Sequence, residues 1–353
     1  MNTMIKIKNR KIGGKNKVFI IAELSANHNQ DYATAVKSVR AVKECGADAI
    51  KLQTYTADTI TIDSDLKYFR IMHGTLWDGQ NLYDLYKKAY TPWEWQPKLK
   101  KIAENLGLIC FSSPFDRTAV DFLEKMRVPA YKVASFEITD IPLIEYIASK
   151  KKPVIISTGI AKMTDIKEAV VACRKAGNNQ IALLKCVSSY PAPPEGMNLR
   201  VIPDMQERFK TVVGLSDHSM GIAAPVAAVS LGASIIEKHF ILDKRIGGPD
   251  APFSLEPREF KAMVDAVRET EKSLGEASYE LSAQSRKNRR FARSLFAARD
   301  ITKGEVFDEI NVRSVRPAHG LKPKYLKKIL GRKSKCFIKR GTPLKWRQVD
   351  IDD

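Results

Sequence analysis

The stretch VVGLSDHSMGIAAPVAAVSLGASIIEKHF, residues 212–240, decides the fold. Two short apolar runs, VVGLSD (212–217) and IIEKHF (235–240), flank a segment of helical period at 222–231. Gly232 follows that segment, where a helix C-terminus favours a residue with positive φ. Each run is apolar through most of its length, as a strand buried on both faces must be. Each also ends polar: Ser216 and His218 in the first, Glu237 and His239 in the second.

The same unit repeats upstream. VFIIAEL (18–24), AIKLQT (49–54), LICFSSP (108–114), AYKVAS (130–135), PVIIST (153–158) and IALLKC (181–186) bring the strands to eight. Helical periods fall at 32–45, 93–106, 117–126, 141–149 and 164–176, with another at 257–274 after the eighth strand. Strand and helix in alternation predict a (β/α)8 TIM barrel over 1–275. The connection 55–92 is longer than the others, and an excursion of that length at a barrel mouth often shapes a pocket. Residues 276–290 are polar and read as a linker. Residues 291–353 hold short strand patterns, one brief helix and Gly-containing turns, a second and smaller domain.

Composition narrows the function classes. The 353 residues are 44% hydrophobic and 28% charged, values of a globular protein. No apolar run approaches the roughly 20 residues of a membrane span. The basic N-terminus leads into no signal-type apolar stretch, so the expected location is the cytoplasm. The cysteines, Cys45, Cys110, Cys173, Cys186 and Cys336, are scattered and fit reduced thiols. The net charge is +19, and residues 282–353 concentrate it, with 20 Lys/Arg against 7 Asp/Glu. That tail lacks a base-reading or stacking-aromatic motif, which disfavours a nucleic-acid partner. A basic face that attracts an anionic substrate or another subunit fits better.

Side chains at the C-terminal ends of barrel strands converge on one mouth. Here those ends carry Glu23; Lys51 and Gln53; Ser112 and Ser113; Lys132, Ser135 and Glu137; Ser157 and Thr158; Ser188 and Tyr190; Ser216 and His218; and Glu237 and His239. Singly, each has a plain structural reading. Lys132 or Glu237 fits half of an ion pair, Ser157 a hydrogen-bonded core serine, and Cys186 simple packing. Together they are hard to dismiss, because a lone charge in an apolar strand is costly to bury. Lys51, Lys132 and the hydroxyls suit a phosphate and a carboxylate. His218 and His239, from adjacent strands, suit a metal completed by water and substrate oxygens, which favours Mn²⁺ or Mg²⁺. Glu23, Glu237 and Asp250 are acids available for proton transfer. His28 reads as a loop-ordering residue, His73 and His319 as surface residues, and Trp93 with Trp95 as packing.

The strings AELSANHNQ (22–30), KLQTY (51–55), YKVASFEITDIPLI (131–144), VSSYPAPPE (187–195), GLSDHSMG (214–221), EKHFILD (237–243) and GGPDAPFSLEP (247–257) resemble the sialic acid (nonulosonate) synthase family. RSLFAARDITKGE and VRPAHGL in the tail resemble that family's antifreeze-like (SAF) domain. SANHNQ and GGPDAPFSLEP look most like its pseudaminic acid synthase branch, with sialic or legionaminic acid synthases as alternatives. A 3-deoxy-ulosonate-phosphate synthase is the nearest rival outside the family. Its substrate phosphate needs an Arg-rich anion site, which the mouth segments lack.

The resemblance implies condensation of phosphoenolpyruvate with an open-chain acetamido sugar. It implies that Lys51, Ser113, Lys132, Ser135, Ser157, Ser188 and Ser216 hold phosphoenolpyruvate, and that His218 and His239 bind the metal. Ser188 departs from the asparagine often found there. By the same resemblance Glu23, Glu237 and His239 are catalytic, and Gln53, Glu137, Tyr190 and Asp250 contact the sugar. Arg316 matches an arginine that reaches into the other subunit's barrel, which implies a domain-swapped homodimer.

Overall fold

Each of the eight apolar runs forms a parallel strand, and in the computed structural model, which describes residues 3–72 and 74–351, the strands close on themselves. In chain order they are β3 (Phe19–Glu23), β4 (Ala49–Thr54), β5 (Ile109–Pro114), β6 (Tyr131–Val133), β7 (Val154–Ser157), β8 (Ile181–Cys186), β9 (Val212–Asp217) and β10 (Ile235–His239). Each pairs with its neighbour in sequence, and β10 returns to β3, with His239 beside Glu23. The eight-stranded barrel read from the sequence is therefore the observed architecture.

Helices cover the outside: α1 (Tyr32–Glu44), α4 (Gln96–Asn105), α5 (Arg117–Lys125), α6 (Ile141–Ser149), α7 (Met163–Lys175), α8 (Val201–Phe209), α9 (Ala223–Ser230) and α10 (Pro257–Leu274). Aspartates start several of them. Asp31 accepts from Ala33 N and Thr34 N, and Asp116 from Thr118 N and Ala119 N, filling helix donors that have no internal partner. Gly232 ends α9 at φ 97°, the left-handed conformation expected of it. Helix α8 is absent from the periods read in the sequence. It is nine residues long with Pro203 in its first turn, and it buries only Ile202, Met205 and Phe209.

The structure adds an N-terminal hairpin that the sequence patterns do not reveal. β1 (Ile5–Ile7) and β2 (Arg10–Ile12) pair antiparallel and add Ile5, Ile7 and Ile12 to the barrel core. Arg10 lies 3.3 Å from Asp48, just before β4, so the hairpin sits where the strands begin. Gly13 allows that approach: a Cβ there would stand 2.4 Å from Thr3 O and 3.0 Å from Val212 Cγ2. The 55–92 excursion contains α2 (Ala57–Ile60) and α3 (Leu82–Ala89). His73 lies outside the described residues.

The chain divides into two compact units, Met1–Gly275 and Glu276–Asp353. Within the polar stretch 276–290 the structure has a short helix, α11 (Ala283–Asn288), capped by Ser282. The second unit pairs β11 (Ser294–Ala297) with β12 (Val312–Val315) and includes α12 (Leu326–Ile329). Its own core joins Leu295, Ile301, Phe307, Ile329, Ile338 and Leu344. Among the described residues no helix is long and apolar enough to cross a membrane.

Candidate active site

The polar strand ends meet at the mouth of the barrel. Glu23 stands in register with Lys51 on one side and His239 on the other, so three adjacent strands present an acid, a lysine and an imidazole together. Glu23, Lys51, Ser113, Lys132, Ser135, Ser157, Ser216, His218, Glu237 and His239 are all buried. Gln53, Glu137, Ser188 and Tyr190 are half-buried around them.

Two lysines and two glutamates form the centre. Lys51 Nζ pairs with Glu23 Oε2, lies 3.5 Å from Glu237 Oε1 and donates to Ser113 Oγ at 3.3 Å. Lys132 Nζ donates to Ser157 Oγ at 2.7 Å and lies 3.9 Å from Glu237 Oε1, which also accepts from Ser216 Oγ at 3.3 Å. Burial and the neighbouring Glu237 push the Glu23 carboxyl up to about 7, against the pull of Lys51. Burial would raise Glu237 as well, but Lys132, Lys51 and His218 together outweigh it and hold that carboxyl below its ordinary range. Two acids with different protonation behaviour thus stand side by side, a pattern suited to proton transfer. Burial lowers Lys132, whereas Glu23 and Glu237 overcome the same effect and raise Lys51.

The imidazoles lie next to this cluster. The His218 and His239 rings are 5.4 Å apart between centroids. His218 Nδ1 donates to Val187 O at 2.9 Å, so in the neutral ring Nε2 keeps its lone pair for a ligand. His239 Nδ1 is buried without a hydrogen-bond partner, 3.7 Å from Asp250 Oδ2. Burial and the surrounding cations hold His239 neutral. Among the described residues no three His, Cys, Asp or Glu side chains form a metal cluster. Two imidazoles with an orphaned nitrogen fit a cation that takes its other ligands from water and substrate.

Further polar atoms are left open. Glu237 Oε2 and Glu137 Oε2 are buried without hydrogen-bond partners. Burial pushes Glu137 up to about 7. A buried polar atom without a protein partner is costly unless something else supplies the contact. Gly159 N donates to Ser135 Oγ at 2.7 Å, and a Cβ on Gly159 would fall 2.1 Å from Ser188 Oγ. Bare backbone therefore keeps space between those two hydroxyls.

Several participants were not singled out from sequence. Ser25 N donates to Glu23 Oε1 at 2.9 Å from a backbone with φ 44°, and Asp250 accepts from the Ser25 hydroxyl. Cys186, read as packing, lies 3.8 Å from His218 Nδ1. Burial opposes ionisation of both, yet their contact holds the thiol below and the imidazole above their ordinary values. Phe253 packs on His239 at 5.0 Å and on Tyr190 at 5.0 Å. Their only mark in the sequence is proximity to strand ends and to Asp250. Some expectations place residues elsewhere. His28 is buried, bonds Thr91 Oγ1 at 3.1 Å and accepts from Gln30 N, a loop-ordering role. Trp95 packs on Tyr32 and Trp93 Nε1 donates to Tyr55 O, so both indoles serve packing. Arg316 is exposed directly after β12, and His319 is exposed as well.

Comparison with known proteins agrees with this geometry. Residues 38–279 match the NeuB family and residues 292–350 match the SAF domain. A pseudaminic acid synthase of Campylobacter jejuni is 51% identical over 93% of this chain and 96% of its own length. One of Helicobacter pylori is 49% identical over 92% and 96%. The structure of an N-acetylneuraminic acid synthetase from Leptospira borgpetersenii superposes with a TM-score of 0.73 at 33% identity, covering 82% of this chain and 95% of that one. With its barrel, its strand-end cluster and its C-terminal SAF domain, the chain belongs to the NeuB family.

Proposed function

We propose that the protein is a pseudaminic acid synthase. It condenses phosphoenolpyruvate with an open-chain 2,4-diacetamido-2,4,6-trideoxy hexose. C3 of phosphoenolpyruvate bonds to the aldehyde carbon, water adds at C2, and the C2–O bond to phosphate breaks. The products are a nine-carbon 2-keto acid and inorganic phosphate. The observation that carries this reading is the single buried cluster of Lys51, Lys132, Glu23, Glu237, His218 and His239 in a chain 51% identical to a pseudaminic acid synthase.

Each residue then takes a role. Lys51 and Lys132, with the hydroxyls of Ser113, Ser135, Ser157, Ser188 and Ser216, bind the phosphate and carboxylate. Glu23 transfers a proton at the reacting carbons, and Glu237 fixes the two ammonium groups. A divalent cation, Mn²⁺ or Mg²⁺, held by His218 and His239 would polarise the aldehyde oxygen. Gln53, Glu137, Tyr190 and Asp250 line the sugar side. Arg316 completes that side from the partner of a domain-swapped homodimer, where its guanidinium meets an acetamido carbonyl. Phosphoenolpyruvate is a cytoplasmic metabolite, so the cytoplasm is the proposed site of action.

Phosphate release from phosphoenolpyruvate tests the reading. With Mn²⁺ and a panel of 2-acetamido and 2,4-diacetamido sugars, the diacetamido trideoxy substrate gives the highest kcat/KM. Absence of phosphate release with every sugar overturns it. Arg316→Ala raises the sugar KM far more than the phosphoenolpyruvate KM, and an equal effect on both removes Arg316 from the sugar site.

A further inference from the structure

Trp77 sits in the 55–92 excursion, far in sequence from the strand ends, yet it ties three mouth loops together. Its indole Nε1 donates to Pro249 O at 3.2 Å, in the loop after β10. Its ring lies 5.6 Å from Tyr190, in the loop after β8. Tyr190 in turn packs on His218 at 4.4 Å and on Phe253 at 5.0 Å, and Phe253 packs on His239. Trp77, Tyr190 and Phe253 therefore form one aromatic wall that ends on both imidazoles. Elsewhere the tip of the excursion is bound mainly to itself, through Ile71 N to Gln80 O, Gly79 N to Ile71 O and Gly74 N to Asp78. Trp77 also borders a cavity of about 630 Å³ shared with Gln80, Gly248 and Pro252. The tip is thus not close-packed on that side, and the indole is a principal anchor.

We propose that Trp77 is a positioning and specificity residue for the sugar. It latches the excursion across the mouth and completes an apolar wall for the methyl groups of a deoxygenated acetamido sugar. The proposal rests on the condensing activity proposed above and adds a residue to it. The anionic substrate has the lysines, the acids and hydroxyls can hold the sugar's polar groups, and the wall is ring carbon except for the Tyr190 hydroxyl, which stands beside Ser188. Ring faces favour a C6 methyl or an acetamido methyl over a hydroxyl, which would lose its hydrogen bonds there.

Kinetics and proteolysis on the full-length protein test it together. Trp77→Ala raises the sugar KM about tenfold or more, leaves the phosphoenolpyruvate KM within about twofold, and reduces by about tenfold the preference for a 6-deoxy over a 6-hydroxy acetamido sugar. Trp77→Phe keeps a ring but loses the bond to Pro249 O, so its sugar KM falls between the two. Trypsin cuts at the exposed Lys67 and Arg70 faster in Trp77→Ala than in the parent protein. Unchanged sugar KM and unchanged sugar preference in Trp77→Ala overturn the inference, as does an unchanged cleavage rate. If the parent protein releases no phosphate with any sugar, the condensing activity fails, and the cleavage rates still decide whether Trp77 is a latch.

Discussion

Strands β9 and β10 carry two buried polar sets that face opposite ways. Lys238 and Asp217 point out of the barrel, toward the helices, and both side chains are fully buried. Lys238 Nζ donates to Asp217 Oδ2 at 2.5 Å and also bonds Ser219 O, while Asp217 Oδ1 accepts from Ser219 N at 2.9 Å and from Ser219 Oγ at 2.7 Å. That set is closed. One residue away on either side, Ser216, His218, Glu237 and His239 face inward, where Glu237 Oε2 and His239 Nδ1 have no partner. The difference separates structure from function. A charged group that supports the fold has its hydrogen bonds completed by the protein, and one that receives a substrate keeps some of them open.

Substitutions in the two sets should have opposite consequences. His239→Ala lowers phosphate release by about 10³-fold or more, because the proposed cation would lose a ligand, and it leaves the melting temperature nearly unchanged. Lys238→Ala does the reverse. It strands Asp217 as a buried unpaired charge and costs about 3–5 kcal/mol of stability, while the folded fraction keeps its kcat. Thermal melts beside phosphate release at a temperature where both variants are folded check the pair. An inactive but stable Lys238→Ala protein contradicts the division.

Next in size is Glu23→Gln, which removes the proposed proton-transferring group without changing shape. It lowers kcat by about 10²–10⁴-fold with little change in either KM, and a wild-type kcat removes Glu23 from proton transfer. A double replacement, Lys238→Met with Asp217→Leu, sharpens the structural half. Apolar packing in place of the whole pair restores most of the stability lost in Lys238→Ala. Urea midpoints read that recovery, and no recovery means the pair does more than neutralise itself.

The smallest effect concerns His28, a buried imidazole outside the strand ends. Burial pushes its pKa down to about 4, below the ordinary value near 6.5. The unfolded chain binds the extra proton between those values, so His28 leaves stability complete above about pH 6.5 and erodes it as pH falls toward 4. The loss amounts to about 3 kcal/mol. His28→Asn flattens this part of the pH dependence, as read from urea midpoints at pH 5 and 7.5, and an unchanged slope assigns the acid sensitivity elsewhere.

The barrel was legible because its strands are buried on both faces. Runs such as VIIS and IALLKC stand out from amphipathic helices, and polar ends on such runs are conspicuous. The inward face was legible only as spacing. In IIEKH the side-by-side Glu237, Lys238 and His239 are all polar, and one strand alone does not say which belong inside. Pairing with β9 decides it, since Lys238 meets Asp217 and Glu237 meets Ser216. The hairpin β1–β2 escaped notice because each strand has three residues and lysines interrupt its buried isoleucines. Trp77 escaped because its contacts are made across loops, to Tyr190 and Pro249, more than a hundred residues away.

Condensation at the barrel mouth is tested most directly by following one oxygen atom. Phosphoenolpyruvate labelled with ¹⁸O in the bridge between C2 and phosphorus is turned over with the diacetamido trideoxy sugar and Mn²⁺, and both products are weighed by mass spectrometry. The label is expected entirely in phosphate, released only when both substrates are present and lost with His239→Ala. Label retained in the keto acid, or phosphate released without the sugar, contradicts a condensing site at the barrel mouth.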